Sequence, residues 1–256
     1  MNRLQAELHR LYLPRSPSHG EDDAQPMSLI DPSGGVRAMV MALVRPPSWE
    51  LLAKVWHGVQ AELELPAPAI AVSGVDSLQL WFALAEPIPA AQAHAFLEAL
   101  RARLLPDIDA RRIDLMPAAD ASALHPQRHA PLVPALQEAT GNWSAFVAAD
   151  LAPVFAETPW LDIPPNEEGQ ATLLRGLSTM KSGVFEEALK RLVPSVDSPL
   201  MQPRAQPQPL PAAADEDPKR FLLRIMNDDS VALALRIEAA KALLQHSNDH
   251  LPPRRD

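Results

Sequence analysis

Apolar and polar positions along this chain recur with two periods, and the period assigns most of the elements. In "MNRLQAELHRLYLPR" the residues Leu4, Leu8 and Leu11 return at helical spacing and predict an amphipathic helix. Residues 14 to 35 are rich in Pro, Ser, Gly and Asp and read as a loop. "VRAMVMALV", residues 36 to 44, is a nearly continuous apolar run; it predicts a buried strand, with helix as the competing assignment. In "PPSWELLAKVWHGVQAELEL" the pattern returns to helix, with Leu52, Val55, Trp56, Val59 and Leu63 on one stripe and Ser48 as N-cap.

Two short strands follow, "APAIAVSG" and "LQLWFAL", and the turn residues "GVDS" between them predict a hairpin. "AEPIPAAQAHAFLEALRARLL" is a Pro-initiated helix with Phe96, Leu97, Leu100 and Leu104 on its inner stripe. "RRIDLMP" predicts one more strand. The order strand, helix, hairpin, helix, strand is that of an α+β domain with helices packed on one face of a sheet.

Beyond residue 117 the periodicity breaks up. Seven prolines between 126 and 165 mark a mostly irregular stretch. "GQATLLRGLSTM" and "GVFEEALKRLV" predict two short helices. Residues 194 to 218 are Pro-rich and form a linker by composition, after which residues 219 to 250 read as a helical hairpin. Asp217-Pro218 opens its first helix, and Asp229 or Ser230 caps its second. The domain of interest therefore spans residues 1 to 193.

Composition narrows the function classes. The chain has 256 residues, 47% of them hydrophobic, enough for one large domain or a domain with an appendage. It has no cysteine, which excludes disulfides, thiolate metal sites and a Cys nucleophile. No apolar run reaches the roughly 20 residues that span a bilayer, so the expectation is a cytoplasmic protein without membrane contact. A net charge of −9 opposes binding of nucleic acid by bulk electrostatics. Only "LPDIDARRID" and "HPQRHAP" offer a local basic patch.

The candidate chemistry lies on one strand face. Side chains alternate along a strand, so Leu78, Leu80, Phe82 and Leu84 point one way and Gln79, Trp81 and Ala83 the other. In the later strand Ile113 and Leu115 point inward, with Asp114 and Met116 opposite. A Gln and an Asp then share the face that the helices leave open.

Residues 73 to 117, "SGVDSLQLWFALAEPIPAAQAHAFLEALRARL" followed by "RIDLMP", resemble the archaeo-eukaryotic primase superfamily, its bacterial primase-polymerase domains in particular. In that family a Ser-Gly turn leads to a Gly-x-His-x-Trp strand, an "EPIPA"-type turn, a helix, and a strand whose carboxylate stands just before a Phe-Pro or similar pair. "APLVPALQEATGNWSAFV", residues 130 to 147, is similar to a further family segment. The resemblance covers residues 36 to 150. It implies an RRM-like sheet, Asp114 as the surviving catalytic carboxylate, and nucleotide or single-stranded nucleic acid held by Ser73, Gly74, Gln79 and Trp81, to which Arg112 and Arg128 are added by their charge as candidate phosphate contacts. The departures carry equal weight. The family's early strand bears a D-x-D metal pair, whereas "AMVMALV" bears no acid. The family's His falls on Gln79, and its preceding Gly on Ser77. One carboxylate does not hold a two-metal phosphoryl-transfer site. The C-terminal "FLLRIMNDDSVALALRIEAAKALL" is similar to a short helical motif of phage small-terminase-like proteins.

Plainer readings compete with each assignment. Gln79 and Trp81 fit a covered core pair, Trp81 a base-stacking platform. Asp114 fits a structural acceptor as well as a ligand. His125 and His129 lack a third ligand nearby. Arg101, Arg111, Arg112 and Arg128 read as a solvated face or as a modest phosphate patch. Phosphate-loop, nucleophile-elbow and dinucleotide motifs are absent.

The resulting expectation is a catalytically inactive primase-polymerase-like domain that needs no cofactor. It would act as a nucleic-acid or protein interaction module in replication, a mobile element or defence, with the C-terminal hairpin as a possible protein contact. One alternative is an active, divalent-metal-dependent nucleotidyltransferase that recruits Asp22, Asp23 or Asp31 beside Asp114. Another is an adaptor that touches no nucleic acid.

Overall fold

A computed structural model describes residues 2–14, 28–122, 124–125 and 129–192. The linker 194–218, the expected hairpin 219–250, Asp22, Asp23 and Arg128 lie outside the described residues. Helix α1 (Arg3–Leu11) starts in a reciprocal capping box, Asn2 with Gln5, and buries the Leu4, Leu8 and Leu11 stripe. The apolar run folds as strand β1 (Gly35–Val44), buried over nearly its whole length. Helix α2 (Trp49–Ala61) is capped by Ser48, whose Oγ accepts from the Leu51 N–H. Strands β2 (Ala69–Val72) and β3 (Ser77–Pro89) make the expected hairpin, followed by helix α3 (Ala90–Leu104) and strand β4 (Ile113–Met116).

The stretch that reads as irregular contains three very short strands, β5 (Leu136–Gln137), β6 (Asn142–Trp143) and β7 (Ala145–Val147). Helices α4 (Glu167–Arg175) and α5 (Ser182–Leu192) follow. Asn166 caps α4 through a bond from the Gly169 N–H, and Glu167 and Glu168 stand in its first turn, where acids complement the helix dipole. Among the described residues no helix is long and apolar enough to cross a membrane.

The protein is α+β. Its main sheet is antiparallel, in the order β4-β1-β3-β2-β7. The core β1-α2-β2-β3-α3-β4, with sheet order β4-β1-β3-β2, is the split βαβ arrangement. Large side chains fill one face: Met39, Met41, Leu43, Ile70, Val72, Leu78, Leu80 and Phe82 pack under α2, α3 and α5. There Phe96 meets Phe185 at 4.9 Å between ring centroids.

The expectation of helices on a sheet face holds for α2 and α3, but the opposite face is not open. It carries small residues, Ala38, Ala42, Ala69, Ala71 and Ala83, and over them lie α1 and α4 with a second apolar core of Leu4, Leu8, Leu11, Tyr12, Leu174 and Phe146. The physical reason is volume. Ala38, Ala69, Ala71 and Ala83 leave room above the sheet, and the amphipathic stripe of α1 packs into it.

Arginines tie these outer helices down. Arg37, on β1 and 1% exposed, donates to the carbonyls of His9, Arg10, Leu13 and Leu84 at 2.7–3.2 Å. Two of these carbonyls lie in the last turn of α1, and a third just beyond it, where a cation complements the helix dipole. Arg10 does the same for α4, donating to the carbonyls of Leu174 and Leu177 at 2.8 and 2.9 Å.

Candidate functional site

The strand register places the residues that alternation assigns to one face. A single row crosses all five strands: Phe146, Ala71, Gln79, Ala42 and Asp114. The next row holds Ala69, Trp81, Val40 and Met116. Gln79 and Asp114 therefore do share a face, two strand spacings or about 10 Å apart, with Ala42 between them.

Their environments differ. Trp81 is 1% exposed, and its ring is enclosed by Tyr12, at 5.3 Å and edge-on, and by Phe146 at 5.8 Å. Tyr12 in turn stacks on Phe146 at 6.1 Å. Burial raises the Tyr12 phenol well above its ordinary range, so the hydroxyl stays neutral. The Trp81 indole N–H donates to Gln79 Oε1 at 2.9 Å, which satisfies the one polar group of the indole inside the core. Gln79 is itself 4% exposed. Trp81 thus has no open ring face for a base. Asp114 sits at the sheet edge and is exposed.

Ser73 and Gly74 are brought together by the β2–β3 turn. Ser73 Oγ accepts from the N–H groups of Val75, Asp76 and Ser77 at 3.0–3.2 Å, beside the backbone bond from the Ser73 N–H to the Ser77 carbonyl. Gly74 has φ +82°, and a Cβ there would stand 2.8 Å from Ser144 N and 3.0 Å from the Trp143 carbonyl carbon. Its N–H donates to the Pro159 carbonyl. Glycine is needed at position 74 because the backbone of Trp143 and Ser144 passes directly over the turn. Gly74→Ala is expected to cost about 2 kcal/mol or more, from the left-handed φ and the backbone contact together; a urea midpoint unchanged from the parent would contradict this.

Among the described residues the basic candidates do not gather at this face. Arg112 Nη2 donates to the Pro46 carbonyl at 2.9 Å. Arg101 is held in a two-point pair by Glu98, whose carboxyl is lowered chiefly by that hydrogen bond. Arg111 is exposed. The described candidate carboxylates do not gather either. Asp31 Oδ1 accepts from the N–H groups of Ser33 and Gly35 and from Ser33 Oγ, which closes the turn into β1. Gly35 and Ala42, the strand partner of Asp114, are seven residues apart on β1, about 23 Å at the strand rise. Asp31 and Asp114 cannot share an ion at that separation. Among the described residues no three His, Asp or Glu side chains converge as a metal-ligand group.

His129 is buried at 6% exposure, while His125 contacts Ser122 at the surface. His129 Nε2 lies 3.1 Å from the Ala38 carbonyl, and the Ala130 N–H donates to His129 Nδ1 at 2.7 Å. A carbonyl only accepts and an amide N–H only donates, so the ring is neutral with its proton on Nε2. Burial pushes the imidazole down to about 4, against a smaller opposite effect of the Ala38 bond. A folded-state value below the unfolded one means that protons favour the unfolded chain. This stability is complete above about 6.5 and is lost as pH falls toward 4, up to about 3 kcal/mol. Urea unfolding at pH 7 and pH 4.5 tests it: His129→Asn is expected to flatten the dependence, and parallel slopes for the two proteins would contradict it.

Alternation along the strands does not reveal Tyr12, Arg37 or Gln170. For Arg37 there is a signal, since a lone cation in an apolar run must find acceptors when buried. No family model matches the chain, and no curated protein matches it.

Proposed function

We propose that this chain is a non-catalytic interaction domain of primase-polymerase-like descent, one that engages protein partners and no longer uses its sheet face for nucleotides. The reading rests on one observation above all. The Trp81 ring, which the primase resemblance would turn toward a base, lies under Tyr12 and Phe146 with its N–H on Gln79. A net charge of −9 points the same way, since nucleic-acid binding draws on clustered cations. The engaged carboxylate of Asp31, far from Asp114, weighs against it as one of the alternative metal ligands. A cytoplasmic setting in replication, a mobile element or defence follows from the resemblance.

Two assays on the full chain test this. Anisotropy of a labelled single-stranded DNA is expected to show no salt-sensitive binding at low or near-physiological salt. Primer extension with manganese and mixed nucleotides is expected to show no incorporation. Incorporation abolished by Asp114→Ala, an exposed position, would sink the reading, and so would DNA binding that weakens with salt.

A further inference from the structure

The outer edge of the sheet carries an apolar trough. One part of it, a groove of about 570 Å³, lies between β7, the turn at residues 151–155, the segment 161–165 and α4. A second part of about 250 Å³ continues past Val147 and Leu173 toward Trp56 and Leu177. Two of the large apolar side chains that line it are exposed, Leu151 at 51% and Leu173 at 36%. Apolar side chains clustered in this way mark interaction sites.

The central backbone groups of this edge, those of Phe146, are already bonded. Gln170 Oε1 accepts from the Phe146 N–H at 2.7 Å, and Gln170 Nε2 donates to the Phe146 carbonyl at 2.9 Å. The Ala148 carbonyl accepts from Leu151 and Ala152, and the Ser144 N–H donates to Ala135. A partner strand therefore finds no main-chain ladder to join. A helix brings its own backbone bonds and needs only side-chain pockets.

Charge selects among helices. From His129 to Leu174 the sequence has six acids, Glu138, Asp150, Glu157, Asp162, Glu167 and Glu168, and no lysine or arginine. Asp150 adjoins Leu151 and Asp162 adjoins Leu161, while Glu168 lines the groove with its carboxylate paired to Arg3 at 3.1 Å. We infer that this trough is a docking site for an amphipathic helix of a protein partner, with apolar anchors at i, i+3, i+4 and i+7 and lysines or arginines flanking them. The inference rests on the interaction-domain reading above and names the partner class for it.

The test uses the full chain and a labelled synthetic peptide of roughly 18 residues, five helical turns, with leucines on one face and lysines elsewhere. A second peptide carries glutamates in place of the lysines. The leucine-lysine peptide is expected to bind, and to lose at least tenfold in affinity to a Leu151→Ser, Leu173→Ser variant. Both positions are exposed, so matched thermal melts serve as the control. The leucine-glutamate peptide is expected not to bind. Equal binding to parent and variant would mean charge attraction alone and would overturn the proposal. So would equal binding of both peptides, or none of either. Loss of this result while single-stranded DNA also stays unbound would remove the trough and leave the interaction-domain reading standing. Salt-sensitive DNA binding would remove the reading itself.

Discussion

Replacing Arg37 with methionine is expected to lower the unfolding free energy by about 4 kcal/mol, as removal of one partner from a buried charged network does. The guanidinium donates to four carbonyls drawn from three parts of the chain: the end of α1, the residue Leu13 beyond it, and Leu84 on β3. Methionine fills much of the volume but leaves those oxygens without a donor in a nearly dry site. Arg37→Lys is expected to recover less than half of the loss, because one ammonium does not span a four-acceptor fork. Urea unfolding of the three proteins measures this. A loss under about 1 kcal/mol for the methionine variant would place Arg37 among ordinary surface side chains and would contradict the role assigned here.

Trp81→Ala is expected to cost a similar amount, about 4 kcal/mol, from lost burial and the cavity left between Tyr12 and Phe146. A stacking platform on an open face would behave otherwise, with a change within about 0.5 kcal/mol. The size of the effect thus separates a core tryptophan from a ligand-binding one. Trp81→Phe keeps most of the apolar contact but leaves Gln79 Oε1 without its donor, at a cost of about 1–2 kcal/mol. In a Gln79→Leu background that cost is expected to shrink, since no acceptor remains to be left bare. An unchanged cost in that background would show that the indole N–H and Gln79 do not act as a pair.

The sequence carries a good part of this fold. The alternation in "LQLWFAL" sorts Leu80 and Phe82 from Gln79 and Trp81, and the register bears that out, as it does the common face of Gln79 and Asp114. Ser48 signals the start of α2 through capping chemistry that is local. What is not legible is which surface a stripe covers. Leu4, Leu8 and Leu11 state that α1 packs on something, but the something is a floor of alanines contributed by three strands, and no local pattern joins them. Strand β7 escapes because three residues are too few to show a period; it is held by pairing with β2 and by the amide of Gln170, both distant in sequence. Gly74 reads as a turn residue from the sequence, yet the reason no side chain fits there is the passage of β6 overhead, a tertiary fact.

The same observations locate the candidate site differently from the motif resemblance. Ser73, Gly74, Gln79 and Trp81 are consumed in holding the turn and the second core, while Asp114 and Arg112 stand apart at the β4 edge. The surface with exposed apolar side chains, flanked by Asp150 and Asp162, is at the opposite edge, beside β7.

The burial of Trp81 depends on α1 being a fixed part of the core beside it. Native-state hydrogen exchange of the full chain reads this directly, at the amides of Ala6, Tyr12 and Leu13, which donate to Asn2 and Leu8 carbonyls. The account predicts that Tyr12 and Leu13 open only with global unfolding, at the same free energy as the central strand β1, and that added single-stranded DNA changes nothing. Opening of these amides several kcal/mol below the global value, with DNA shifting it further, would show that α1 lifts off a working face and would contradict the account.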